Sequence, residues 1–333
     1  MNINIDILEN DVLNKYPSIL EILLKDQTTK KNIIWATTNY NKLGKAYEFN
    51  SEIKVKLITE SNGTLIMPRV QKEKSLQKLR VRNMAEVFTP SWICNSQNNL
   101  IDNAWFKKKE VFNKEIKNSD DKYEWETNNK EIIFPKNKTW EDYIKDTRLE
   151  LACGEAPYIT SRYDTVSGKF ISVKNRIGIL DRKLRVINEN TNNSNEWLKA
   201  AEISYKSTYA YEWQGDNLLL AREAMLFSFI ENYFEKFYEE PPLKFIKIIS
   251  NIISWNVWQM DGLKGVVPDS CTKETITTTN LFGEKNILIN ECEGCEKNII
   301  TKHNGKYCII KDWFGENKKS SKSEKEIKFI DVN

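Results

Sequence analysis

No stretch of this 333-residue sequence is long and apolar enough to cross a membrane as a helix. The most apolar run, Ile246–Trp258, is broken by Lys247 and Asn251, and the opening MNINIDILEN is acidic and polar, unlike a secretory signal. The expectation is a soluble, cytoplasmic protein with no membrane partner. Six cysteines are too few to staple a chain of this size as a disulfide framework. Excess charge of one sign is also missing: 50 basic residues stand against 47 acidic ones, a net of +3. That balance neither requires nor rules out nucleic acid, because a basic groove can sit inside a neutral total. Internal repeats are absent as well. What is present is bulky core material, with 10 Trp, 13 Tyr and 14 Phe, so the chain folds as one large domain or two ordinary ones.

Along the chain, residues 11–26 have helical apolar spacing and NIIWAT (32–37) reads as a strand. Residues 52–69 alternate around Asn62-Gly63, which predicts a hairpin. A basic segment leads to a short loop at Phe88-Thr89-Pro90 and a helix that Ser91 is placed to cap. Residues 107–139 are charged and aperiodic and read as an insertion or mobile loop. Residues 169–187 alternate and predict a second hairpin, followed by a helix at 196–206. TYAYEWQGD gives a short strand and a turn into a long helix from Asp216, and 241–260 reads as a further apolar helix.

Three short stretches carry chemistry. In RLELACGEAP an apolar strand runs into Gly154, a residue that lets backbone approach a ligand closely. The same stretch also reads as a plain strand end. Glu150 and Glu155 would repel phosphate, whereas Glu150 suits a cationic amine. Glu212 ends the next strand, where an acid reaches both hydroxyls of a ribose or simply caps the following helix. Phe88, Thr89 and Pro90 offer a flat ring, a hydroxyl and a rigid turn, or an ordinary helix entry with a core Phe.

In this order the three stretches resemble the adenine-specific DNA methyltransferases of restriction–modification systems, and proteins called restriction endonuclease subunit M in particular, over residues 80 to 265. That family carries an F-T-P loop, a D-P-A-C-G-x-G turn and an acid ahead of an A-R-x-N-L helix. Here they read Phe88-Thr89-Pro90, Glu150 to Ala156, and Glu212 followed by Leu220 to Leu226. The resemblance implies an α/β fold: a doubly wound, Rossmann-like core with a mainly parallel sheet over 81–265. An N-terminal α+β extension (1–80), a small Cys-rich module (266–315) and a polar tail (316–333) complete the expected organisation. It implies S-adenosylmethionine held by Phe88, Thr89, Pro90, Glu150, Ala152, Cys153, Gly154 and Glu212, with DNA and a restriction or specificity subunit as partners. The target adenine would leave the duplex so that its amine meets the methyl group in line. The family's catalytic tetrad, an Asn or Asp, two prolines and an aromatic, is not spelled anywhere. Asn256 and Trp258 in SWNVWQMDG stand nearest, as an amide and a stacking ring or as part of a core helix. The enzyme reading is an adenine methyltransferase; the alternative is a degenerate relative serving as a DNA-binding or regulatory subunit.

Four of the six cysteines and the sole histidine fall between 271 and 308: Cys271, Cys292, Cys295, His303 and Cys308. CEGC has the knuckle spacing that lets two thiolates meet one zinc ion, with Cys308 and either His303 or Cys271 completing the set. Buried single cysteines or a redox pair are the other readings. Lys297, Lys302 and Lys306 nearby, and Arg80, Arg82, Arg176, Arg182 and Arg185 elsewhere, are either phosphate contacts for DNA or solvated charged faces.

Overall fold

The computed structural model describes residues 5–84, 86–279, 285–315 and 325–332. The chain opens with α1 (Glu9–Lys15), α2 (Ile19–Leu24) and the single turn α3 (Val55–Ile58), then α4 (Lys74–Met84) and α5 (Ser91–Phe106). A hairpin of β1 (Asn113–Lys117) and β2 (Tyr123–Thr127) precedes α6 (Trp140–Lys145) and β3 (Arg148–Glu150). Next come α7 (Ile179–Asn190), α8 (Ser194–Lys206), β4 (Thr208–Glu212), α9 (Gly215–Phe237), α10 (Leu243–Asn256) and β5 (Val257–Gln259). β6 (Glu274–Thr279), β7 (Lys285–Asn290), α11 (Glu293–Lys297), β8 (Ile309–Asp312) and β9 (Lys325–Lys328) complete the described elements. None of the described helices is long and apolar enough to cross a membrane.

The fold is mixed α/β with small sheets. At its centre β3, β4 and β5 form a three-stranded parallel sheet in that order, in register Glu150↔Ala210 and Glu212↔Gln259. Each parallel step is bridged by a helix pair, α7–α8 and then α9–α10, as parallel pairing requires. Ala210 and Val257 point into the main core, shared with α1, α2 and α7 to α10 through residues such as Val12, Leu23, Leu184, Trp197, Phe229 and Ile253. The N-terminal residues therefore build the same core as the sheet. Tyr209, Tyr211 and Trp258 alternate to the other face, where Cys308, Ile310, Ile327 and Phe329 of the β8–β9 hairpin cover them. A hairpin thus packs on a face for which the doubly wound expectation has helices.

Several sequence expectations change for identifiable reasons. Asn62-Gly63 makes no hairpin: Gly63 has φ −66°, without the positive φ a two-residue hairpin turn needs, and Asn10 holds both backbone groups of Glu60. The 32–37 segment lies beside β5 through one side chain, since Gln259 bonds both backbone groups of Ile34 (2.9 and 2.8 Å). Only isolated bridges, Lys25↔Asn32 and Ile34↔Glu52, mark it as strand-like. The second predicted hairpin ends in α7, because Leu180, Leu184 and Ile187 recur at helical spacing and all are buried. The charged 107–139 segment contains the β1–β2 hairpin, and part of the polar tail pairs as β9. Residues 316–324 of that tail lie outside the described residues. Ser91 does not cap α5; its N–H donates to Asp164 Oδ2 from a distant loop at 2.7 Å.

The arginines considered for DNA are mostly internal struts. Arg182 is buried against Asp102 (2.6 Å), Asn95 and Asn99, and Arg176 meets Glu231 at 2.5 Å, beside Arg162. Arg185 bonds Glu189 and the carbonyls of Phe112 and Asn128. Removing one partner of such a buried pair strands the other charge, at a cost of about 3–5 kcal/mol. Arg182→Ala is accordingly expected to lower unfolding free energy by about that amount, read as a drop in the urea midpoint at unchanged m-value.

Candidate functional site

Because β3 and β4 run parallel, the turns leaving their C-terminal ends open on the same edge of the sheet. After Glu150 the chain passes through Ala152, Gly154 and Ala156, all at positive φ (48°, 55° and 57°). This coiled turn is pinned by Cys153 N–H to Tyr211 O (2.9 Å) and Ala156 N–H to Cys153 O (2.7 Å). Gly154 meets two requirements at once, the left-handed φ and space for Phe88, whose ring would be 3.5 Å from an added Cβ.

Glu212 ends β4 and its carboxylate spans the gap between the two turns. It accepts the Gly154 N–H at 2.9 Å through one oxygen and the Gln214 N–H at 3.1 Å through the other. A carboxylate has about four acceptor positions, so about two remain for a ligand. Glu150 accepts the N–H groups of Tyr158 and Ile159 at 3.4 and 3.1 Å. Burial pushes the Glu150 carboxyl up to about 8; those two N–H bonds oppose the rise and the Glu212 charge adds to it. Glu212 is also raised by burial, against the N–H bonds it accepts.

A cavity of about 580 Å³ sits on this edge. Phe88 and Thr89, the 150–154 turn and Glu212 all line it, so the structure brings together all three sequence stretches. Pro90 lies outside, on an adjoining groove. Glu155 turns away, accepting the Arg69 N–H and the Tyr163 hydroxyl at 2.6 Å each.

Sequence reasoning missed what holds the Phe88 loop in place. Arg80, fully buried on α4, donates to Glu86 (2.6 Å) and to Asp216 (2.8 Å) and Asn217 (3.2 Å) on the first turn of α9. Lys72 and the Tyr40 hydroxyl also reach Asp216, whose carboxyl this cationic cluster holds far below the usual range despite burial. Asn217 and Gln214 donate back to Glu86 at 3.1 and 3.2 Å. Arg80 is therefore a strut for the pocket wall, while its helix neighbour Arg82 lines the cavity. The only sequence signal was an acid two residues ahead of Phe88. Gln214 Oε1 is buried without a hydrogen-bond partner, Glu86 Oε1 has the Arg69 guanidinium at 3.8 Å, and both residues line the cavity. Buried acceptors of this kind call for a donor from a ligand or water.

Asn256 and Trp258 are not at this edge. Asn256 sits where α10 enters β5, at the opposite end of the sheet, donating to the carbonyls of Tyr205, Lys206 and Thr208 and accepting from Trp313 Nε1 at 2.7 Å. Trp258 is buried against Tyr211 and Phe329 on the hairpin-covered face. Neither lines the cavity.

The second candidate centre is a cluster of metal-ligating side chains. The ligand atoms of Cys271, Cys292, Cys295 and His303 all lie within 4.8 Å of one another. His303 Nδ1 is 3.6, 3.7 and 3.6 Å from the sulfurs of Cys271, Cys292 and Cys295. Tetrahedral zinc with usual Zn–S and Zn–N lengths sets N and S about 3.6 Å apart, so the four atoms fit a closed structural site. Gly294 in the knuckle is required by close approach, since a Cβ there would lie 2.6 Å from His303 N and Nδ1. Asn304 N–H donates to Cys292 Sγ at 3.2 Å, favouring its thiolate. Cys308 is outside this set, against the sequence expectation. It lies just ahead of β8 and is packed into the β5 face, where its thiol reaches Gln259 O at 3.3 Å. Lys297 and Lys302 are paired with Glu293.

Compared with protein-family models, curated proteins and solved structures, the chain matches none of them.

Two outcomes follow from this geometry. With its carboxyl raised to about 8, Glu150 holds a proton in the folded chain that it loses in the unfolded chain near the ordinary carboxylate value. Stability therefore falls as pH rises through that window and levels above about 8; Glu150→Gln should flatten the slope in unfolding curves taken across it. Elemental analysis of the purified chain should find one zinc per molecule, and a strong chelator should remove it and lower the thermal midpoint. Cys292→Ser should abolish retention, whereas Cys308→Ser should leave it intact.

Proposed function

We propose that the cavity between the β3 and β4 turns binds S-adenosylmethionine, and that the chain acts as a DNA methyltransferase of the adenine-amine type in a restriction–modification or related system. The observation that carries this reading is the meeting of Phe88-Thr89, the Glu150–Gly154 turn and Glu212 around one cavity. Its size, about 580 Å³, is that of a small-molecule site, and ligands of parallel α/β sheets bind beyond the carboxyl ends of the strands. The electrostatics also fit. Glu212 lines the wall beside Glu150, which gains its charge only near 8, and Glu86, which Arg80 neutralises; with Arg82 the one lining arginine, the wall offers acceptors and no phosphate cradle, which suits a ligand bearing an ammonium and ribose hydroxyls.

In this reading Glu212 accepts hydrogen bonds from the ribose hydroxyls with its free acceptor positions. Glu150 faces the amino-acid end, and Phe88, stacked under the Arg69 guanidinium at 5.2 Å, closes the site over the Gly154 backbone. The bound group would supply the methyl that an adenine amine receives. The DNA contacts and a partner subunit belong to the same proposal, as does the assignment of residues 81–265 to a Rossmann-like methyltransferase core. For the second centre, we infer zinc as the ion, holding the Cys-rich segment beside the β8–β9 hairpin.

A second reading is favoured by one observation, the saturated amide of Asn256 away from the cavity. Here the chain binds the cofactor without transferring the methyl group and serves as a DNA-binding or regulatory subunit. Calorimetric titration with S-adenosylmethionine, followed by methyl transfer to mixed-sequence DNA, separates the two. Binding with transfer supports the enzyme, binding alone supports the second reading, and the absence of both binding and transfer overturns both readings. Glu212→Gln is expected to weaken binding by about 1–3 kcal/mol through lost charge-assisted hydrogen bonds. Affinity should rise with pH as Glu150 ionises near 8, because a cation favours its carboxylate.

A further inference from the structure

We propose that the groove between the β1–β2 hairpin and the loop at 164–172 binds a cationic peptide segment of a partner protein, seating an arginine or lysine side chain on its aromatic floor. The groove encloses about 1070 Å³. Its floor is aromatic: Trp92, Tyr123, Trp125 and Phe170 all line it, and Trp92 and Tyr123 are substantially exposed. Large aromatic surface left open beside polar residues marks an interaction site.

The floor is also fixed in shape. Trp92 and Tyr123 stack with centroids 4.7 Å apart and planes 19° from parallel, which ties the hairpin to α5. Trp125 Nε1 donates to Asn175 O, and Thr127 Oγ1 to Asn175 Oδ1, both at 2.8 Å, which ties it to the opposite wall. A peptide entering such a groove meets preorganised side chains and pays little for ordering them.

Charge selects the occupant. Asp121, Glu124, Glu126 and Asp164 line the groove against Lys122 and Lys169; Asp164 is taken up by Ser91, Val166 and Ser167 and Asp121 by Lys117, so Glu124 and Glu126 are the acids that face an occupant. Lys122 is drawn toward Asp120 at 3.6 Å. Single-stranded nucleic acid uses aromatic floors too, but its phosphates need a basic groove, and here they would meet carboxylates. A guanidinium or ammonium gains from both ring faces and acids. The chain displays that chemistry at the rim, where the Lys117 ammonium lies 5.0 Å from the Tyr123 centroid and 2.7 Å from Asp121 Oδ1.

The groove is joined to the cavity at the sheet edge. Pro90 and Trp92 line one, Phe88 and Thr89 the other. The Thr165 hydroxyl donates to Thr89 O at 3.0 Å, and Asp164 caps the helix that follows. A peptide in the groove therefore bears on the loop that closes the cavity. The proposal stands on the groove alone and does not depend on what the cavity binds.

The test uses the full chain and fluorescence anisotropy of a labelled octapeptide of alternating arginine and serine, beside the same peptide with citrulline for arginine. The expected result is saturable binding of the arginine peptide that weakens with salt, with the citrulline peptide much weaker. Glu124→Gln and Glu126→Gln, neither of which holds the hairpin to α5, should each weaken binding several-fold while circular dichroism and thermal midpoint stay unchanged. Absence of binding, equal binding of the two peptides, tighter binding of a single-stranded oligonucleotide, or indifference to both variants would overturn the proposal.

Discussion

One carboxylate organises the edge of the central sheet. Glu212 leaves the end of β4 and accepts the N–H of Gly154 from the β3 turn and the N–H of Gln214 from the α9 turn. Both turns are short, and the first holds three residues at positive φ, so neither is stabilised by regular secondary structure. A buried acceptor shared between them fixes their separation, and their separation is the width of the cavity. The cost is a desolvated acid, visible as its raised carboxyl. Replacing Glu212 with an apolar residue would leave two N–H groups without partners as well as remove the ligand contact.

The third wall depends on a different kind of interaction. Residues 86–90 belong to no helix or strand, and they are placed by Arg80 reaching Glu86 on one side and the first turn of α9 on the other. Buried ionic networks are costly to assemble and punishing when half broken, so this one specifies position more than it adds stability. It ties α4, the Phe88 loop and α9 together. The aromatic groove is attached to the same loop by Asp164 and Thr165, which gives a partner on that surface a mechanical route to the cavity. On the opposite face of the sheet, the β8–β9 hairpin buries Tyr211 and Trp258, and the Cys271, Cys292, Cys295 and His303 cluster precedes that hairpin in the chain.

Local chemistry was legible in the sequence where a residue's role depends on its immediate neighbours. Gly154 at a strand end, Glu212 before a helix and CEGC with a nearby His303 each state their chemistry in a few positions, and the structure assembles them. Helices α9 and α10 were legible from their apolar period, whereas α7 was read as a hairpin because its basic residues alternate with its apolar ones. Roles set by distant contacts were not. Asn62-Gly63 has hairpin composition, but Asn10, fifty residues away from Glu60, holds that turn in another conformation. Cys308 has the spacing of a ligand, yet its sulfur packs into the sheet face against Trp258 and Met260. Asn256 stands near Trp258 in a suggestive order, and only the topology shows that it enters β5 from the end away from the cavity. Arg80, Arg176 and Arg182 look like surface charge until their acids, 55 to 136 residues distant, are found beside them.

The central claim is that the edge organised by Glu212 is a nucleoside-binding site, and a crystal grown with S-adenosylhomocysteine tests it most directly. The account predicts electron density in the cavity between Phe88 and the 150–154 turn, with both ribose hydroxyls within hydrogen-bond distance of the Glu212 carboxylate. Density elsewhere on the chain, or a ligand in the cavity whose ribose faces away from Glu212, would contradict it.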